Sequence, residues 1–306
     1  MRFIARFAMR GPYHAAAAAA LIQLASPAVG FLMVFSGAVI ALVTLRRGSR
    51  EGIRVIIMAT TLVVLLRFLL TGQTLPMLVL CLVVWLPAWL LASNLARTEQ
   101  QAYPLMMSAV LVAAYALAIR GAVGNMGEFW EQRLTQLFQQ LTQVGSSGLT
   151  SEQIALVAAQ IHIWTLVVMF SLLAAVILLA RWWQSSLFNP GGFGQEFRQL
   201  RLPRRLLYLA GLVAMVSVAE ALSGADVELA GDAFVIVVVL FAFQGLAVIH
   251  SRMHSRGLSS GWLVGLYASL IFVPQLVGPV LATTGVADGM ADFRQLRAQP
   301  TEPPQD

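Results

Sequence analysis

Long apolar runs separated by short polar stretches dominate this chain, and the runs have the length of membrane-crossing helices. The first extends from about residue 13 to residue 45, too long for one ordinary crossing. Pro27 and Gly30 divide it, which predicts a short helical hairpin; a single tilted helix is the other reading. Further runs cover 55–70, 77–92 (with Pro87 inside), 105–123, 154–180, 206–222 and 233–250, and the last, 261–286, contains Pro274. The pattern predicts an all-α, polytopic transmembrane helical bundle of about 8–9 spans.

Residues 127–157 follow another rhythm. Glu128, Trp130, Leu134, Leu137, Phe138, Leu141 and Val144 recur at helical spacing among Gln, Thr and Glu, the signature of an amphipathic helix lying along the outer membrane surface. Gly145, Ser146, Ser147 and Gly148 interrupt it. Thr150 with Gln153 then reads as a capping box opening the next helix. The whole of 1–286 is expected to form one transmembrane domain, and 287–306, ending in a proline-rich polar stretch, a partly disordered tail.

Composition fits this picture. Of 306 residues, 58% are hydrophobic and 11% charged; soluble domains carry about 25% charged residues. All twenty basic residues are Arg, and the net charge is +6. Most arginines fall in a few short segments: Arg2, Arg6 and Arg10, then Arg46, Arg47, Arg50 and Arg54, the 181–205 loop, and Arg252 with Arg256. Glu128, Glu131, Glu152, Asp226, Glu228 and Asp232 fall in the alternate loops. This is the positive-inside distribution of a bacterial inner-membrane protein with a cytoplasmic N-terminus, and it argues against a nucleic-acid partner. The N-terminus resembles a secretory signal, but another apolar run follows at once, so an uncleaved first helix is expected. The C-terminus ends outside if 261–286 crosses once, and inside if Pro274 makes that run re-entrant.

No HExxH, CxxC or Walker pattern is present, so neither an enzyme nor a cofactor is expected. Cys81, alone in an apolar run, is a packing residue. His250 and His254 have metal-compatible spacing without a neighbouring Cys or carboxylate, and a solvated loop accounts for them.

Candidate chemistry lies in polar residues within the spans, each costing roughly 2.5–3.5 kcal/mol at mid-bilayer. Arg67, Arg120 and Glu220 stand near the outer ends of their runs, with His162 at comparable depth. Such a cluster suits an anionic or zwitterionic small molecule from outside. A simple Arg67–Glu220 pair, or arginines snorkelling to the interface, is the alternative. Gln244, in mid-span, is either interhelical glue or a ligand contact. Gly257, Gly261 and Gly265, and Ala16 with Ala20, have the four-residue spacing that lets helices approach closely, within the chain or with a partner. In the basic loop, Trp182 and Trp183 suit the membrane interface. There Asn189, Pro190, Gly191 and Gly192 form a turn. A short basic helix over 195–202, carrying Arg198 and Arg201, should lie on anionic lipid or dock a cytoplasmic partner subunit.

The stretches ALVTLRRGSREG (41–52), RWWQSSLFNPGGFGQEFRQLRLP (181–203), FQGLAVIHSRMHSRGLS (243–259) and GVADGMADFRQ (285–295) resemble the YybS-like family of bacterial membrane proteins. That family has no established activity. It is distantly similar to the substrate-capture (S) subunits of energy-coupling-factor transporters, a resemblance that implies a compact helical module taking a small molecule from outside. It also places Ala16 and Ala20 where S subunits dock a transmembrane coupling partner. Small-molecule capture or uptake is therefore the expected function; a non-transporting scaffold docking partners through the basic loop is the alternative.

Overall fold

The computed structural model describes residues 2–142, 150–223, 228–259 and 261–294. Among these residues it contains thirteen helices and no strand.

α1 (Arg2–Ala8) leads into α2 (Pro12–Ala25), where proline sits at the start of the helix, the position at which its missing N–H is harmless. The chain breaks across Pro27 and Gly30 and resumes in α3 (Leu32–Arg47), forming the expected hairpin. α3 is the central helix: Ser36 through Thr44 are all buried. It is apolar on every side, as an enclosed helix must be, and it packs on α2, α4 (Ser49–Thr71), α5 (Leu75–Thr98) and α8 (Ser151–Phe188). One hydroxyl joins three of these helices. Ser36 Oγ donates to the Ala19 carbonyl at 2.8 Å and accepts from Trp85 Nε1 at 2.8 Å. Ser36→Ala should lower stability by about 1–3 kcal/mol, because the indole N–H of fully buried Trp85 loses its acceptor; thermal unfolding in detergent reads the loss.

α6 (Ala102–Val123) is followed by α7 (Met126–Thr142), the amphipathic helix, which packs along α8. It is shorter than the expected 127–157: residues 143–149 lie outside the described residues, and from Ser151 the chain already belongs to α8. The capping box is present, with Gln153 N donating to Thr150 Oγ1 at 3.3 Å and Thr150 N donating to Gln153 Oε1 at 3.0 Å. α8 has 38 residues and is therefore about 57 Å long, well beyond the hydrocarbon thickness. The basic loop forms α9 (Gly192–Arg198), which starts earlier and ends sooner than the expected 195–202.

α10 (Arg205–Ser223) has no buried residue and packs on α11 (Glu228–Ser255) and α13 (Pro274–Ala291). The last apolar run is split by Pro274 into α12 (Gly261–Phe272) and α13. Among the described residues six helices are long and apolar enough to cross a membrane: α4, α5, α6, α8, α10 and α11. The remaining expected spans are the shorter pairs α2–α3 and α12–α13.

Contacts sort the helix ends into two groups. The Arg46 guanidinium lies 3.9 Å from the centre of the Phe188 ring, Gln101 Nε2 donates to Glu196 Oε2 at 3.2 Å, and Arg294 Nη2 donates to the Leu200 carbonyl at 2.8 Å. These bonds gather the end of α3, the start of α6, the α8–α9 corner and the chain after α13 at one end, which also carries most of the arginines. α13 runs parallel to α11: Gln244 meets Asp288 and, farther along, Arg252 meets the Phe293 carbonyl. The α12–α13 hairpin therefore returns the described chain to the basic end, the outcome expected of a re-entrant Pro274.

Candidate functional site

At the end of the bundle opposite the arginines, α6, α8 and α11 meet around one carboxylate. Arg120 Nε donates to Asp232 Oδ2 at 2.6 Å, and His162 Nε2 lies 3.0 Å from Asp232 Oδ1. The Asp232 and His162 side chains are 6% and 7% exposed, and Arg120 17%. The helices favour this arrangement. Arg120 occupies the last turn of α6, where the dipole welcomes a cation, and Asp232 lies near the start of α11, where it welcomes an anion. A carboxylate can only accept, so His162 Nε2 carries the shared proton and donates to it. His162 Nδ1 is buried and, among the described residues, has no hydrogen-bond partner. On a neutral imidazole that nitrogen is an acceptor; protonated, it is a donor.

Of the residues flagged in the sequence, Arg120 and His162 come together; the group that unites them, Asp232, reads in the sequence as the end of an acidic loop. Arg67 is on α4, which packs on α2, α3 and α5, and its buried Nε has no partner among the described residues. Glu220 is on α10, beside α11 and α13. Among the described residues no ion pair joins Arg67 to Glu220. An open groove of about 740 Å³ runs along α8 beside the cluster, with Tyr115, Gln160, Ile161 and Trp164 in its wall.

Gln244 belongs to a second cluster, at the basic end. Its Nε2 donates to Asp288 Oδ2 at 3.0 Å, and its Oε1 accepts from Leu202 N at 3.0 Å. Arg294 grips the same carboxylate with Nη2 at 2.7 Å and Nε at 3.2 Å, and donates to the carbonyls of Arg198 and Leu200 at 2.6 and 2.8 Å. Arg201 pairs with Asp292 and donates to the Asp288 carbonyl. Asp288 and Arg294 fall in the segment 287–306 expected as a tail; α13 continues to Ala291, and residues 292–294 close onto the α9–α10 linker. The rest of that tail lies outside the described residues.

Several residues considered for partner docking are turned inward. Ala16 and Ala20 are buried at 4% and 0% exposure within this chain. Trp183 is fully buried against Phe35, not at an interface; Trp182 is half-buried. Asn189, Pro190 and Gly191 are exposed, and Gly192 half-buried. The turn they form needs glycine at 191, where φ is +90°. Ser185 Oγ donates to the Asn189 carbonyl and accepts from Phe193 N, fixing the turn to α8. Arg181 and Gln101 hold Glu196, so α9 is stitched to its own bundle. Gly257, Gly261 and Gly265 meet no other helix. The close crossing is elsewhere: a Cβ on Gly245 would fall 1.9 Å from the Leu281 carbonyl oxygen, and one on Gly285 2.1 Å from that of Phe241. Among the described residues no group of three His, Cys, Asp or Glu is placed to hold a metal.

The sequence matches a family described as predicted membrane protein (DUF2232) over residues 15–289. The chain belongs to the DUF2232 family. The family region takes in Arg120, His162, Asp232, Gln244 and Asp288, and stops short of Arg294. No curated protein and no solved structure matches the chain.

Proposed function

We propose that this DUF2232 member is a non-enzymatic, multi-pass protein of a bacterial inner membrane that captures a small molecule at the Arg120–Asp232–His162 cluster. One observation carries the reading: three ionisable side chains from three helices converge in an apolar bundle, and one polar atom, His162 Nδ1, is left open there. Ionisable groups at such positions are costly and are functional sites by default. By the positive-inside rule the arginine-rich end is cytoplasmic and the cluster faces outward. With His162 neutral, Nδ1 accepts from a hydroxyl, amide or ammonium group. A proton on His162 adds one positive charge and suits a carboxylate or phosphate. The ligand class is thus zwitterionic or hydroxyl-bearing, or anionic when it arrives with a proton. The resemblance to the YybS-like family and to S subunits agrees with capture from outside. Without an ATPase motif, uptake would draw on partner subunits or an ion gradient.

The scaffold alternative keeps the exposed turn Asn189–Pro190–Gly191 but loses the inward Trp183 and Arg201. Native mass spectrometry of the protein purified in mild detergent tests capture. The wild type should carry a stoichiometric small molecule, and Asp232→Asn and His162→Gln should reduce its occupancy at least tenfold while remaining folded. Lipid alone on the wild type, or equal occupancy in all three proteins, overturns the assignment.

A further inference from the structure

At the basic end, a cavity of about 520 Å³ opens between α8, α9, α11 and α12. Its volume lies in the range of small-ligand sites, and it is independent of the capture cluster, which lies at the other end of the same helices. One wall is a run of rings. Phe193 stacks on Phe197 at 6.0 Å, Phe197 meets His250 edge-on at 5.3 Å, and His250 meets Tyr267 at 5.9 Å. His250 is held in place: Nδ1 donates to the Leu246 carbonyl at 2.8 Å, and Nε2 lies 3.2 Å from the Tyr267 hydroxyl. Leu178, Leu179, Trp182, Met253, Leu258 and Leu263 supply the rest of the apolar surface.

The charge on the lining is of one sign. Arg198 and His254 face the cavity and no carboxylate does. The nearest acid on the same helix, Glu196, is taken by Arg181. Among the described residues the Arg198 guanidinium has no hydrogen-bond or ion-pair partner, although its own carbonyl is bound by Arg294, which fixes the backbone that carries it. A guanidinium on a fixed backbone above an aromatic wall suits a forked contact to phosphate oxygens, with the apolar body of the ligand against the rings. Basic pockets between helices at a membrane face are the recognised setting for anionic headgroups.

We propose that this cavity binds a phosphate group carried on an apolar body. A phospholipid headgroup entering from the bilayer and a soluble organic phosphate share that chemistry. The full chain, purified in detergent, is titrated in native mass spectrometry with phosphatidylglycerol, phosphatidylcholine and phenyl phosphate. Arg198→Gln and His254→Gln are compared with Arg256→Gln, which removes the same charge as Arg198→Gln from an exposed position outside the lining. The wild type should retain phosphatidylglycerol at about tenfold lower concentration than phosphatidylcholine. Arg198→Gln or His254→Gln should abolish the preference, and Arg256→Gln should keep it. Saturable phenyl phosphate binding that Arg198→Gln removes, without a lipid preference, supports the site and assigns it to soluble phosphates. The proposal fails if no probe binds preferentially, or if all three variants lose binding alike.

Discussion

Gly245→Ala should destabilise the bundle, whereas Gly211→Ala, in the middle of α10, should be neutral or stabilising. Glycine inside a helix is normally worse than alanine by about 0.8–1 kcal/mol, so the default sign for both changes is a gain. At Gly211 an added Cβ meets nothing within 4 Å, and the default holds. At Gly245 it would meet Leu281 O at 1.9 Å and Leu281 C at 2.7 Å. Both atoms are backbone, which no rotamer change can move aside, so α11 and α13 must separate. Overpacking a filled site costs typically about 1–3 kcal/mol, and more where the backbone must shift, enough to reverse the sign. Gly285→Ala should behave like Gly245→Ala, since its Cβ would lie 2.1 Å from Phe241 O and 2.9 Å from Gly245 N. Melting temperatures of the three variants in one detergent decide it; equal shifts for Gly245 and Gly211 would mean the helices do not cross where described.

This crossing was hidden in the sequence for a physical reason. The pattern Gly257, Gly261, Gly265 advertises close approach because it repeats on one helix face, yet Gly257 and Gly261 border the α11–α12 turn and Gly265 has no neighbour within 4 Å. Gly245 and Gly285 lie on different helices, and no single-helix period links them. The same distinction separates the rest of what was legible. Helix positions follow from apolar runs, and the hairpin break at Pro27 and Gly30, the Thr150 cap and the amphipathic α7 follow from local chemistry. Arg120 and His162 stood out because they interrupt apolar runs. Asp232 did not, because α11 begins in an acidic stretch before its apolar run, and the charge looked like loop composition. Arg67 and Glu220 looked equivalent to Arg120 and His162 by depth alone; packing partners, which depth does not encode, set them apart.

Asp288 and Arg294 give the second large expected effect. Their side chains are 0% and 1% exposed, so neither charge has water to fall back on. Arg294 spends all three nitrogens on Asp288 and on the carbonyls of Arg198 and Leu200, while Gln244 takes Asp288 and the Leu202 N–H. Such a network stabilises because each group in it is satisfied; removing one partner strands the other charge, at about 3–5 kcal/mol. Asp288→Ala and Arg294→Ala should therefore each lower stability strongly, and by similar amounts. The double variant should fall short of their sum by about 1–3 kcal/mol, because the second change removes the charge the first one stranded. Gln244→Leu should cost less than either, since it strands one backbone N–H and leaves the ion pair whole. A double-mutant cycle read by thermal unfolding measures the coupling, and strict additivity would show that the two residues stabilise the bundle independently. Because Arg294 ties the chain after α13 to the linker between α9 and α10, the same substitutions should also speed proteolysis within 198–205 before the bundle unfolds, loosening the backbone on which Arg198 is held.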